Sequence, residues 1–373
     1  MGDYSQWMGS SLNLFGKGLG AADLSQLRLP QGLQEINLAN NGLGAADLSR
    51  LHLPQGLLEL WLSRNGLGAS DLRLLQLPQG LQRLDLDRND LGAAGLGLLR
   101  LLGNLVALKV LCLEGNGLGT AALSLLRIPQ GLQRLDLDGN GLGTADLSLL
   151  QLPEGLQILS LCNNGLGAAD LSRLNLPQGL QELNLNRNGL GDADLSRLRL
   201  PQGLQELDLN RNELGNADLS LLRLPQGLQG LDLQYNNLES ADLGQLSLPQ
   251  GLQTLVLEGN RLCYADLSLL RLPQGLQTLD LDRNGLGADL SQLRLPQGLQ
   301  HLFLSGNLLT ADDLHALAGR TQLIVICHGN LSLSTEKLLE DRALLNRTNR
   351  RRRLALASLP VNGDVLYELL QRV

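Results

Sequence analysis

The chain has 373 residues, a formal charge of −7, 43% hydrophobic residues and only 2% aromatic ones. Its core must therefore be aliphatic, and its charge is unevenly placed: residues 331–373 hold eight Lys/Arg and five Asp/Glu, which leaves −10 for residues 1–330. A body that acidic repels phosphate backbones, which argues against a nucleic-acid ligand, and no stretch is long and apolar enough to cross a bilayer.

The N-terminus, MGDYSQWMGSSLNLFGKGLG, lacks the basic start and apolar centre of a secretory signal. Gln6 stands where myristoylation wants Ser or Thr. Leu12, Leu14 and Leu19 fit a shortened version of the frame that follows, with Lys17 in the asparagine position. Residues 1–30 are thus expected to form a capping partial repeat.

From Leu33 onward the frame Leu-x-x-Leu/Ile-x-Leu-x-x-Asn-x-Leu recurs twelve times, with its asparagine at Asn41, Asn65, Asn89, Asn116, Asn140, Asn164, Asn188, Asn212, Asn236, Asn260, Asn284 and Asn307. Nine of the eleven gaps are 24 residues, one is 27 and one is 23. A fixed period of this length means stacked units, none of which buries its apolar face alone. Within one unit, Leu57 to Leu62 alternate as a short strand with one buried face. Asn65 ends the strand and Leu67 turns inward. Asp71 opens a single helical turn carrying Leu72 and Leu75, and Asp recurs at that helix start in most copies, which marks it as structural. Leu77-Pro78-Gln79-Gly80 reads as a β-turn with Pro second and Gly fourth. Between Asn89 and Asn116 the turn is replaced by a segment three residues longer, and near Asn284 one alanine is missing. A local change of curvature is expected at the first.

These twelve frames resemble the leucine-rich repeat family, over roughly residues 10–330. The LPQGLQ segment that leads into each strand is similar to leucine-proline variants common in bacterial and protist members. The resemblance implies an α/β solenoid, a curved horseshoe with a concave parallel sheet, short convex helices or turns, and an asparagine ladder bonding the loop backbones. The expected organisation is a cap over 1–30, the array over 31–330 and a helical C-terminal cap or tail over 331–373.

In this frame the third, fifth and seventh strand positions face the concave side. Fourteen of those 36 positions are acidic: Glu35, Glu59, Asp85, Asp87, Glu114, Asp136, Asp138, Glu182, Glu206, Asp208, Asp232, Glu258, Asp280 and Asp282. Only Arg83 and Arg134 are basic there, while Arg64, Arg88, Arg187, Arg211 and Arg283 follow at the eighth position, at the rim. Such a surface suits a basic protein or peptide, or the carboxylates were copied along with the repeat. Departures from the consensus escape the second explanation. Trp61 and Phe303 are expected exposed aromatics, the residue type that anchors interfaces, and Tyr235 is a smaller departure at the rim. The candidate partner contacts are therefore Trp61, Asp85, Asp87, Glu114, Asp136, Asp138, Asp208, Asp232, Tyr235, Glu258, Asp280, Asp282 and Phe303.

No catalytic constellation appears: the four histidines are scattered, and neither Cys112 nor Cys162 keeps a base at usable spacing. The chain is not expected to be an enzyme. Adjacent carboxylates such as Asp208 and Asp232 form a flat row that rarely gives calcium its six to eight oxygens, and no cofactor or metal site is expected. The four cysteines form no metal-type cluster, and Cys112 and Cys162 lie two repeats apart, too far for a disulfide. A reducing, cytoplasmic compartment fits, including that of a host cell for a translocated protein.

After Asn330 the period ends. Residues 334–359 read as helix with Leu338, Leu339, Leu344 and Leu345 on one side, and Arg347 and Arg350 to Arg353 make a basic run. Residues 359–370, LPVNGDVLYELL, resemble the opening helix of an F-box, with two extra residues before Asp364. That resemblance implies recruitment to a ubiquitin ligase. The favoured expectation is a non-catalytic protein–protein interaction scaffold; the alternative is a ligase adaptor or translocated bacterial effector whose repeats choose a target and whose tail recruits a second protein.

Overall fold

The computed structural model describes residues 9–330, apart from short segments between strands (45–47, 69–74, 93–103, 120–122, 124–125, 144, 169–170, 193–194, 263–268, 288–289, 291–292, 311–312, 315–316, 318–319 and 321). The expected capping helix, basic run and F-box-like segment of residues 331–373 lie outside the described residues, as do the longer segment's centre and most of the convex turn at 69–74.

Fourteen three-residue strands form one parallel sheet in strict chain order. They are β1 (Ser11–Asn13), β2 (Glu35–Asn37), β3 (Glu59–Trp61), β4 (Arg83–Asp85), β5 (Val110–Cys112), β6 (Arg134–Asp136), β7 (Ile158–Ser160), β8 (Glu182–Asn184), β9 (Glu206–Asp208), β10 (Gly230–Asp232), β11 (Thr254–Val256), β12 (Thr278–Asp280), β13 (His301–Phe303) and β14 (Ile324–Ile326). The register never slips. Leu84 pairs with Leu111 across the 27-residue interval, and Leu279 pairs with Leu302 across the 23-residue one. Insertion and deletion are absorbed between the strands, because a one-residue slip in the sheet would turn every buried leucine outward.

The core is the leucine column set predicted by the frame. Leu57, Leu60, Leu62 and Leu67 of one repeat are each 0% exposed. Full burial of one such side chain contributes about 1.5–3 kcal/mol, and each repeat covers the leucines of the one before it.

The asparagine ladder is continuous from Asn41 to Asn330. Asn212, 0% exposed, is typical: its Oδ1 accepts from the backbone N–H groups of Asn188 at 2.8 Å and Leu190 at 3.4 Å. Its Nδ2 donates to the carbonyls of Leu185, Leu209 and Asn210 at 2.9, 2.9 and 3.3 Å. One side chain thus ties three backbone segments of two repeats.

One expectation is corrected in detail. The β-turn lies one residue later than the sequence suggests: Leu81 N–H donates to the Pro78 carbonyl at 3.1 Å, and Pro54–Leu57 and Pro153–Leu156 repeat it. Proline is therefore first in the turn, where its missing N–H costs nothing and its carbonyl is the acceptor. Glycine, now third, admits the neighbouring coil: a Cβ on Gly203 would stand 2.8 Å from the Gln178 carbonyl oxygen. The frame appears twelve times, and β14 follows it within residues 31–330, with Asn330 donating to the carbonyls of Leu304 and Cys327.

Among the described residues the convex side is built from single 3-10 turns such as Leu147–Leu149 and Leu219–Leu221 and from six-residue helices such as α1 (Ala21–Gln26) and α2 (Ser240–Gln245). The recurring Asp has two capping geometries. Asp146 and Asp218 accept from the N–H of Ser148 and Ser220, whereas Asp23 and Asp242 reach back to the N–H of Gly20 and Glu239. Both satisfy donors left over at a helix start. Among the described residues no helix is long and apolar enough to cross a membrane.

Glycines two residues apart serve different ends on this side. Gly189 has φ 66° and open space around it, so a side chain there meets only backbone strain. Gly191 donates to the Asn212 carbonyl at 2.8 Å, and a Cβ on it would collide with the Glu213 carbonyl. Gly191→Ala should lower unfolding stability by about 1–3 kcal/mol, and Gly189→Ala by about 1 kcal/mol. Urea melts that rank the two the other way would contradict the coil-to-coil contact.

Candidate functional site

The middle residue of each strand points into the core and its neighbours face the concave side, as Glu59 and Trp61 do, half-buried around Leu60. The fifth-position aspartates have a local task. Asp85, Asp136, Asp208, Asp232 and Asp280 each accept the backbone N–H two residues on, at 2.8–3.0 Å. Asn37 and Asn184 make the same bond at 3.0 and 2.9 Å. The turn therefore needs a side-chain oxygen and not a charge. Three seventh-position aspartates reach the next repeat: Asp87 accepts from the Glu114 N–H at 2.7 Å, Asp138 from the Cys162 N–H at 2.7 Å and the Ser160 hydroxyl at 2.6 Å, and Asp282 from the Ser305 N–H at 2.5 Å.

The charge is costly to the fold. Burial, then Asp85, pushes the Asp87 carboxyl up to about 7. Burial and Asp136 push Asp138 to about 6. Partial burial and Glu182 push Glu206 to about 7, and burial with Asp208 takes Asp232 to about 8. Burial also raises Asp85 and Asp136. The Glu206 carboxylate lies across Gly230, where a Cβ would strike it.

Trp61 is half-buried between Asn37 and Asp85, with the Arg83 guanidinium 5.8 Å from its ring centroid. Phe303, expected exposed, is 7% exposed. The strand that flanks it, β14, was not legible in the repeat frame, and its Ile326 lies opposite Phe303. Three of the expected surface carboxylates are likewise occluded: Glu258 at 1%, Asp280 at 3% and Asp282 at 7% exposure. The candidate carboxylates that stay open are thus Asp85, Asp87, Glu114, Asp136, Asp138, Asp208 and Asp232, all half-buried, beside Glu35, Glu59, Glu182 and the exposed Glu206 on the same floor.

The eighth position forms a lip along the edge where the strands end, and its backbone is left-handed throughout. Arg64, Arg88, Arg187, Arg211, Tyr235 and Arg283 have φ between 50° and 56°, and Gly115, Gly139, Gly259 and Gly306 occupy the same position with φ of 63° to 66°. A non-glycine residue there costs about 1–2 kcal/mol. Arg88 pairs with Glu114 at 2.7 Å. Tyr235 lies flat over Gly259 and donates to Glu258 at 2.7 Å, and Arg211 stacks on its ring at 4.7 Å. The sequence placed these arginines at the rim; the strain was readable only in the glycines that alternate with them.

Burial raises the thiols of Cys112 and Cys162 to about 12, so neither is a thiolate at neutral pH. Among the described residues no group of three or more His, Cys, Asp or Glu could hold a metal ion. A polar recess of about 380 Å³, lined by Gly215, Asn237, Glu239, Asp242 and Arg261, lies beyond the strand ends.

No protein-family model matches the chain, and no curated protein does. Solved structures do. An internalin from Listeria monocytogenes superposes with a TM-score of 0.52 at 20% identity, covering 88% of this chain and 83% of its own. The leucine-rich repeat-containing protein LegL7 from Legionella pneumophila has a TM-score of 0.42 at 20% identity, over 68% and 85% of the two chains. YopM from Yersinia enterocolitica has 0.42 at 23%, over 82% and 71%. With fourteen parallel strands, a leucine core and an unbroken asparagine ladder on the internalin's path, the chain folds as a leucine-rich-repeat solenoid.

Proposed function

We propose that the protein is a non-catalytic scaffold that binds a basic protein or peptide on its concave face. One observation carries the reading. At the fifth strand position asparagine makes the same turn as aspartate, yet aspartate recurs across the sheet, where burial and neighbouring carboxylates oppose its ionisation. A charge that the fold does not need and that costs stability is the signature of a surface kept for a ligand. Cationic side chains laid over these carboxylates would relieve the repulsion and favour the ionised form. Trp61 gives the face a large anchor at one end, with its ring already flanked by a guanidinium. A reducing, cytosol-like compartment suits the thiols of Cys112 and Cys162.

The test is ionic strength. The affinity of the full chain for a Lys-rich peptide should fall at least about tenfold between about 50 and about 500 mM salt, because exposed charge pairs are screened over that range. An affinity that stays constant would remove the acidic floor as the source of attraction.

A further inference from the structure

The residue that closes each strand is left-handed in every copy described, and glycine is the residue such a backbone favours. Gly115 and Gly259 show that the repeat accepts glycine there. Five arginines nonetheless hold the position, all exposed and all along one edge of the acidic floor. We propose that Arg64, Arg88, Arg187, Arg211 and Arg283 form an anion-binding lip that takes the carboxylates of an acidic segment on the docked protein partner. The partner then sits in one orientation, its basic part on the floor and its acidic edge against the lip. The proposal rests on the concave face being the docking surface.

Contacts within the chain do not account for these residues. The Arg88–Glu114 pair has side chains 52% and 35% exposed, and Arg283, 69% exposed, makes only long contacts, 3.7 Å to Glu258 and 3.5 Å to the Tyr235 hydroxyl. Pairs so exposed add little stability, less than the left-handed backbone takes away. Arg187 and Arg211 stand on adjacent repeats, about 4.8 Å apart at the strand spacing, which suits two neighbouring carboxylates. Stacking on Tyr235 fixes the plane of the Arg211 guanidinium, and a stacked guanidinium keeps its in-plane N–H donors for bidentate contact. Nucleic acid would also offer anions, but the floor beside the lip repels a phosphate backbone. A protein surface carrying both signs is the ligand that satisfies lip and floor together.

Arg187→Gly with Arg211→Gly in the full chain separates binding from folding. Three probes are titrated: a Lys-rich peptide, a helical peptide with Lys on one face and Glu along its flank, and a single-stranded DNA oligonucleotide. The wild type should prefer the mixed-charge peptide to the Lys-rich one by about tenfold. The double variant should lose that preference, bind the Lys-rich peptide at least as well as before, and melt a few degrees higher. A variant that melts lower than the wild type, or that keeps the preference, overturns the lip. So does a wild type that binds the oligonucleotide as tightly as the mixed-charge peptide. If the wild type binds neither peptide, the reading of the floor fails and takes the lip with it; if it binds the Lys-rich peptide while the variant keeps its preference, the lip fails alone.

Discussion

Asn212→Ala should cost roughly 3–5 kcal/mol of unfolding stability, as should truncation of its ladder neighbours such as Asn188, which hold the same set of backbone groups. The side chain is fully buried and holds five backbone groups: the N–H of Asn188 and Leu190 and the carbonyls of Leu185, Leu209 and Asn210. Removing it leaves those groups in a space too tight for full hydration, and each unsatisfied group costs about 1–3 kcal/mol. Asn212→Asp should be comparably damaging at neutral pH, since a carboxylate would face three carbonyl oxygens. The control lies two residues away: Asn210→Ala touches a half-buried side chain on the concave face whose Oδ1 has no bonding partner, and should change stability by less than about 0.5 kcal/mol. Because a solenoid is held by neighbour contacts, the lesion should also split the urea transition into two phases. A single unshifted transition for Asn212→Ala would mean that the ladder does not couple the repeats.

The second large effect joins stability to binding. Replacing Asp85, Asp87, Asp136 and Asp138 together by Asn should make the chain more stable at pH 8 and abolish most of its affinity for a Lys-rich peptide. The sign follows from protonation. The folded carboxyls of Asp87 and Asp138 titrate near 7 and 6, above the unfolded value near 4. Their contribution to stability is fully present below the unfolded value and is lost as pH rises through 6 to 7. Asp232, near 8, extends the loss further. The wild type should accordingly melt several degrees higher at pH 5.5 than at pH 8, and the fourfold variant should show a smaller difference. Asn keeps the fifth-position turn, as Asn37 and Asn184 do, so the fold should survive. A variant that is less stable at pH 8, or that binds the peptide unchanged, would show that these charges serve the fold.

The architecture was legible because leucine and asparagine do the same physical job in every repeat: columns of one fill the core and a column of the other bonds the loops. The frame stopped short of β14 because Gln322, Val325 and Cys327 stand where leucines would, although Asn330 keeps the ladder bond. The turn was displaced by one residue because Pro and Gly spacing alone allows either register; the Leu81–Pro78 hydrogen bond decides it. On the concave face the sequence gives the column of each side chain and not its cover. Asp85 and Asp280 share a column, yet the first is half-buried and the second 3% exposed. Phe303 illustrates the same point from the apolar side. The lip was visible as a row of arginines, but that its backbone is left-handed is a property of the coil, hinted at only by glycines at the same place in other repeats.

Zero-length carbodiimide cross-linking of the protein to the partner it captures from native lysate tests the central claim most directly, since it joins a carboxylate to a lysine that touches it. Cross-links should fall on Asp85, Asp87, Asp136 and Asp138 of the floor. Cross-links confined to convex carboxylates such as Asp146 and Asp218 would contradict a concave acidic docking surface.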